Sequence, residues 1–107
     1  MIKAIFWKNH NLLTVRGHAY SAEEGKDLVC AGASTLAVTL ATNVRFLVEM
    51  GYARDPIIEL EKGEAIVQCT PLRKYSQSVG QVYRSVCVGF EILAEQYPQY
   101  ITYSVRG

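Results

Sequence analysis

The chain has 107 residues, half of them apolar, enough core for one domain and too little for two. Eleven Lys and Arg stand against ten Asp and Glu, a formal charge of +1, so no strong field draws it to nucleic acid or an anionic membrane. Three cysteines, Cys30, Cys69 and Cys87, without Cys-x-x-Cys spacing, speak against a disulfide framework and a structural zinc site and suit a reducing cytoplasm.

The N-terminus, MIKAIFWKNHN, breaks a short apolar run with Lys3 and Lys8 and has no small-residue cleavage site, so no signal peptide is expected. The runs IKAIFW at 2–7 and LLTVR at 12–16, separated by the polar KNHN, predict a β-hairpin. A polar, glycine-containing stretch follows, and then a long Leu- and Ala-rich helix over 28–50 that stops at Gly51. No charge falls between Leu28 and Val44, but Ser34, Thr35, Thr39, Thr42 and Asn43 make this run too polar, and its uncharged part too short, for a bilayer span of about 20 residues. A soluble helix apolar on most faces needs cover from the sheet and from a second helix or a partner chain, so a homodimer is expected.

Pro56 is read as opening a second pair of strands, 57–61 and 65–69, joined at Lys62-Gly63-Glu64. From Ser76 to Tyr97 the apolar residues step by three and four, the pattern of an amphipathic helix closed by Pro98, and 100–105 reads as a last strand. The resulting fold class is α+β: a single domain over 1–107 in ββαββαβ order, a two-layer sandwich of a mainly antiparallel sheet with two helices on one face.

Chemistry concentrates in GHAYSAEEGKDLVCAG, residues 17–32. His18 ends the second strand, Asp27 stands where an N-cap belongs, and Cys30 is then the third helical residue. Unpaired amides and the positive end of the helix dipole favour a thiolate there, and an imidazole beside it would act as ion-pair partner or general base. On residue types alone a core cysteine and a hydrogen-bonded surface histidine explain the pair more plainly. Gly17, Gly25 and Gly32 tilt the balance, since they permit tight turns around the two groups.

The pattern Gly17-His18-Ala19, five residues, Gly25-Lys26-Asp27, then Leu28-Val29-Cys30-Ala31 and Ser34 resembles the signature of the bacterial ribosomal-processing cysteine proteases, the Prp family. The resemblance implies that Cys30 is the nucleophile and His18 its general base. It further implies a homodimer that needs no metal or cofactor, in line with the cytoplasmic setting and the absence of nucleic-acid and membrane binding expected from charge and composition. The implied substrate is the precursor of large-subunit ribosomal protein number twenty-seven, which loses a short N-terminal extension by a cut after an aromatic residue. Residues 19–27 would form a substrate loop beside the dyad, with Gly17, Ala19 and Gly25 as its small residues.

The amides of Cys30 and Ala31 are candidate oxyanion donors. Asp27 serves equally as a cap or to orient His18, and Ser34, one turn beyond Cys30, as a supporting hydrogen-bonder. Glu23 and Glu24 suit a basic substrate or simple solvation, and Trp7, Tyr52 or Tyr75 an aromatic substrate residue. His10, Cys69 and Cys87 are left outside the site. Two rivals stand beside the protease: a non-catalytic binding module acting through a sheet edge or helix face, and another thiol chemistry such as acyl transfer or redox sensing.

Overall fold

The computed structural model describes residues 1–17 and 24–107, with backbone alone for 24–27. Among them the elements are β1 (Ile2–Trp7), β2 (Leu12–Arg16), α1 (Glu24–Glu49), β3 (Ala53–Glu61), β4 (Glu64–Pro71), a 3-10 turn (Arg73–Tyr75), α2 (Ser76–Gln96) and β5 (Ile101–Arg106). This is the expected ββαββαβ order. The strands form one sheet in the order β3-β4-β2-β1-β5. Three of its four pairings are antiparallel, and β1 with β5 is parallel because the α2 crossover returns the chain in the direction of β4.

Alternation decides which face is covered. Ile2, Ala4 and Phe6 of β1, Leu13 and Val15 of β2, and Ala65, Val67 and Cys69 of β4 are buried in one cluster with both helices. Val29, Ala33, Ala37, Leu40, Ala41, Val44 and Leu47 of α1 join it, as do Val79, Tyr83, Cys87 and Phe90 of α2. The stacked rings of Phe6 and Tyr83, 5.8 Å apart, tie β1 to α2.

The cover that α1 needs comes from α2, which runs antiparallel to it. Leu36 of α1 lies over Gly89 of α2, and Leu93 of α2 lies over Gly32 of α1. Gly32 is thus a packing glycine inside a helix and not a hinge beside the thiol. On the outer side of α1, the Thr35, Thr39 and Thr42 hydroxyls donate to the carbonyls four residues back, at 2.8, 2.7 and 2.8 Å. That is how an uncharged helix tolerates hydroxyls toward water. Leu28–Glu49 spans 22 residues and is by length and composition apolar enough to cross a bilayer, although its uncharged part ends at Val44. One stripe of it packs on the sheet and α2, and the other side carries the hydroxyls together with the exposed Leu28, Val38 and Phe46.

Two other boundaries differ from expectation. Helix α1 begins at Glu24, four residues before Leu28, because Glu and Lys are good helix formers and a carboxylate in the first turn suits the dipole; Gly25 opposes this by only about 1 kcal/mol. Strand β3 begins at Ala53 and passes through Pro56. It lies at the sheet edge, where a missing N–H is tolerated, and the register shift between Arg54 and Ile57, with Asp55 at φ 51°, takes up the irregularity. At the other end of α1, Gly51 (φ 78°) stops the helix as expected. Its N–H bonds Val48 O at 3.0 Å and that of Tyr52 bonds Leu47 O at 2.8 Å, the paired bonds of a Schellman cap.

Candidate active site

Cys30 is the seventh residue of α1 and stands in its second turn. It is half-buried against the core and opens onto a cavity of about 220 Å³ between α1, the end of β2 and the β3–β4 turn. The space exists because small residues line it: Ala33 and Ala37 on the helix, Ala65 on β4 and Gly17 at the end of β2. Ser34, also on this cavity, shares it with Cys30 as the sequence suggested.

Gly17 fixes how the chain leaves the sheet. Its φ of +103° lies in the region that favours glycine, its N–H donates to Gly63 O at 3.0 Å, and a Cβ there would strike the carbonyl oxygen of Met1. His18 and Ala19 lie outside the described residues.

The other two thiols are placed differently. Cys69 and Cys87 are each 1 % exposed. Burial pushes Cys69 up, against a smaller opposing effect of the Tyr83 hydroxyl 3.8 Å away, and pushes Cys87 up to about 11, partly offset by Tyr103. Both are held as neutral core thiols. A larger groove of about 570 Å³ lies between α2 and β5, but no cysteine, serine or histidine lines it. No group of three His, Cys, Asp or Glu suited to a metal occurs among the described residues.

The early start of α1 changes three expectations. Asp27 is its fourth residue and not its cap, Gly25 is helical and not part of a loop, and the amides of Cys30 and Ala31 fall where an α-helix commits each N–H to the carbonyl four residues back. Trp7 donates to Thr14 Oγ1 at 3.4 Å on the uncovered sheet face, and Tyr52 packs on Tyr75 near the C-terminal end of α1, their centroids 4.2 Å apart; none of the three lines the cavity. The contribution of Ala33, Ala37 and Ala65 was missed in the sequence, since the void they leave appears only when helix and hairpin meet.

A two-layer α+β domain with its accessible thiol on a helix beside a cleft has the framework of a thiol enzyme. The sequence model of the family described as cysteine protease Prp matches residues 1–102, and the chain belongs to that family of cysteine proteases. Among solved structures, the ribosomal processing protease Prp of Staphylococcus aureus with a covalently linked product peptide superposes with a TM-score of 0.74 at 20% identity, over 99% of this chain and 100% of that one. The same protease with a substrate peptide gives 0.70 at 17%, over 98% and 97%. A Streptococcus mutans protein gives 0.68 at 23%, over 98% and 91%. These likenesses establish the fold. No curated protein sequence matches the chain at a significant level.

Proposed function

We propose that the chain is a ribosomal-processing endopeptidase that removes the N-terminal extension from the precursor of large-subunit ribosomal protein number twenty-seven, cutting after an aromatic residue. The observation that carries this reading is that one cavity is lined both by Cys30 and by Gly17, the chain neighbour of His18. The Staphylococcus aureus Prp protease of the same fold is a ribosomal processing enzyme and binds a substrate peptide, which supports the choice of substrate. The protein is read as one domain, a cytoplasmic homodimer, working without metal or cofactor.

In this mechanism the Cys30 sulfur, its proton taken by His18, attacks the scissile carbonyl carbon and forms a tetrahedral oxyanion. The C–N bond then breaks, His18 returns the proton to the leaving amine, and a thioester remains. Water, deprotonated by His18, attacks the thioester, and collapse releases the acid and the thiol. Ser34 supports from the next turn, and Asp27 orients His18. For the Cys30 and Ala31 amides to serve the oxyanion, the 24–27 turn of α1 must release them when substrate binds, with Gly25 as the residue that eases its unwinding and Ala19 and Gly17 as the small residues of the entry.

The test is mass spectrometry of a peptide spanning the precursor extension, incubated with the wild type, Cys30→Ala and His18→Ala. Cleavage after the aromatic residue by the wild type alone is expected. Cleavage that persists in Cys30→Ala would overturn the dyad, and an intact peptide with the wild type would overturn the substrate.

A further inference from the structure

The formal charge of +1 conceals a separation of charge along the molecule. The strand pairings and connections place the ends of β1, β4 and β5, the starts of β2 and β3, the end of α1 and the start of α2 at one pole, and Cys30 toward the other. The first pole carries Lys8 after β1, Arg106 at the end of β5, Arg45 in the last turns of α1 and Arg54 at the start of β3. Arg73 and Lys74 of the 3-10 turn and Arg84 in the first half of α2 complete it. Against these seven cations the described carboxylates of this pole are Glu49 and Asp55, and Asp55 pairs with Arg54 at 3.5 Å. Toward the thiol pole, among the described side chains, Glu59, Glu61, Glu64, Glu91 and Glu95 outnumber Lys3, Arg16 and Lys62.

The groove of about 570 Å³ between α2 and β5 runs into this basic pole. Lys8 and Arg84 line it together with the side-chain amides of Gln77 and Gln81, and Tyr103 of β5 puts ring surface beside them. Gly80 keeps it wide, since a methyl there would meet nothing within 4 Å. Its described carboxylate, Glu91, lies about two helical turns from Arg84 toward the thiol pole. Outside the groove the same pole sets cations on rings twice more, Arg106 over Trp7 at 5.4 Å and Lys74 over Tyr75 at 5.6 Å. We propose that this groove and the basic pole around it bind single-stranded RNA, with phosphates on the cations and bases on the rings and amides. The proposal rests on the ribosomal-processing reading above, because RNA is the polyanion that a ribosomal protein meets.

The chemistry of the pole selects this occupant. An unpaired RNA strand uses a cationic groove, aromatic faces for its bases and amides for their edges, and all three occur together here. An anionic bilayer calls instead for one helix with an apolar face flanked by several cations. Phe46 and Met50 are exposed at the end of α1, but the last turns of that helix bring a single cation, Arg45, and the others sit on strand ends, the 3-10 turn and α2. The thiol pole repels RNA and attracts a cationic polypeptide, so the two ends match the two components of a basic protein on its RNA. At about 1.5 Å per helical residue, Cys30 stands about 22 Å from Arg45, a distance that about seven extended residues of substrate would span.

The experiment is fluorescence anisotropy of a labelled single-stranded RNA of about twelve nucleotides, titrated with the full chain at low and at physiological salt, with thermal unfolding as the check on folding. The wild type is expected to bind at low salt and to weaken as salt rises. Lys8→Glu/Arg84→Glu is expected to weaken binding about a hundredfold at low salt and to reduce the salt slope by about 1.4, roughly 0.7 for each lost phosphate contact. Lys3→Glu/Lys62→Glu changes the net charge equally but at the thiol pole, and is expected to bind within about twofold of the wild type. All four side chains are exposed, so folding should hold. Equal losses in the two double variants would reduce the effect to net charge and overturn the proposal. A wild type that binds phosphatidylglycerol vesicles but no RNA at low salt would overturn it in favour of a membrane. No peptide is present, so RNA binding beside an uncleaved precursor peptide would overturn the substrate reading alone, and cleavage without RNA binding would overturn this proposal alone.

Discussion

Gly17→Ala is the most informative single change, because the same substitution at Gly51 separates its two costs. Both glycines have positive φ, +103° and +78°, and an alanine at either carries a backbone strain of about 1 kcal/mol. A methyl on Gly51 meets nothing within 4 Å, whereas one on Gly17 meets the Met1 carbonyl, which is main chain and cannot rotate away. Making room displaces the start of β1, where Ile2 N–H bonds Tyr100 O at 2.8 Å, and the Gly17 N–H bond to Gly63 O at 3.0 Å. Each bond contributes about 1 kcal/mol net, so Gly17→Ala should cost about 3 kcal/mol against about 1 for Gly51→Ala. At about 5 °C per kcal/mol for a domain of this size, the melting temperature should fall by about 15 °C and about 5 °C respectively. On the proposed dyad, peptide cleavage measured well below melting should fall about a hundredfold in Gly17→Ala alone, because the displaced residue is the chain neighbour of His18. Equal melting temperatures for the two variants would show that the Met1 carbonyl yields easily, and the account of Gly17 as the fixed point of the site would fail.

The two α2 glycines should respond in opposite directions in urea unfolding. Gly80→Ala has open space around it and should stabilise by about 0.5 to 1 kcal/mol through helix propensity, whereas Gly89→Ala drives a methyl into Leu36 and should destabilise unless Leu36 is shortened to Val. Alkaline unfolding should report the buried thiols. Cys87 is raised from 9.0 to about 11, so its stabilising effect is full below pH 9 and is lost as pH climbs to about 11, where the unfolded chain ionises and the folded one does not. That amounts to about 3 kcal/mol, with Cys69 acting in the same direction, so the urea midpoint should fall between pH 9 and 11 and fall less in Cys87→Ala.

Local pattern carried β1, β2 and α2 almost to the residue, since alternation, turn residues and a three-and-four stripe are properties of neighbouring side chains. Order across the sheet was not legible, because pairing β2 with β4 and β1 with β5 joins segments dozens of residues apart. The first half of β3 was lost to Pro56, which reads as a strand opener until one knows that the strand is an edge. Gly32 looked like part of the reactive segment because nothing in its neighbourhood shows that Leu93 will lie on it. The proposed pair, His18 and Cys30, was visible as residue types at a spacing, whereas the cavity that gives the thiol access depends on three alanines from two elements.

The start of α1 matters most for the chemistry. A cysteine in the first turn is activated by free amides and the helix dipole, an effect that fades beyond that turn, and Cys30 stands one turn too late to receive it. On the proposed dyad, activation then falls to His18, which makes a prediction that the helix-end account does not share. Native alkylation by iodoacetamide should modify Cys30 first, and Cys69 and Cys87 only as the protein unfolds, since each is 1 % exposed. In His18→Ala the Cys30 rate at neutral pH should drop at least tenfold toward that of an ordinary thiol, with folding unchanged, because the substituted side chain takes away the only base assigned to the pair. If the rate is unaltered in His18→Ala but falls when the first turn of α1 is broken by Lys26→Pro, then the thiol draws its reactivity from the helix, and the assignment of His18 as its base is wrong.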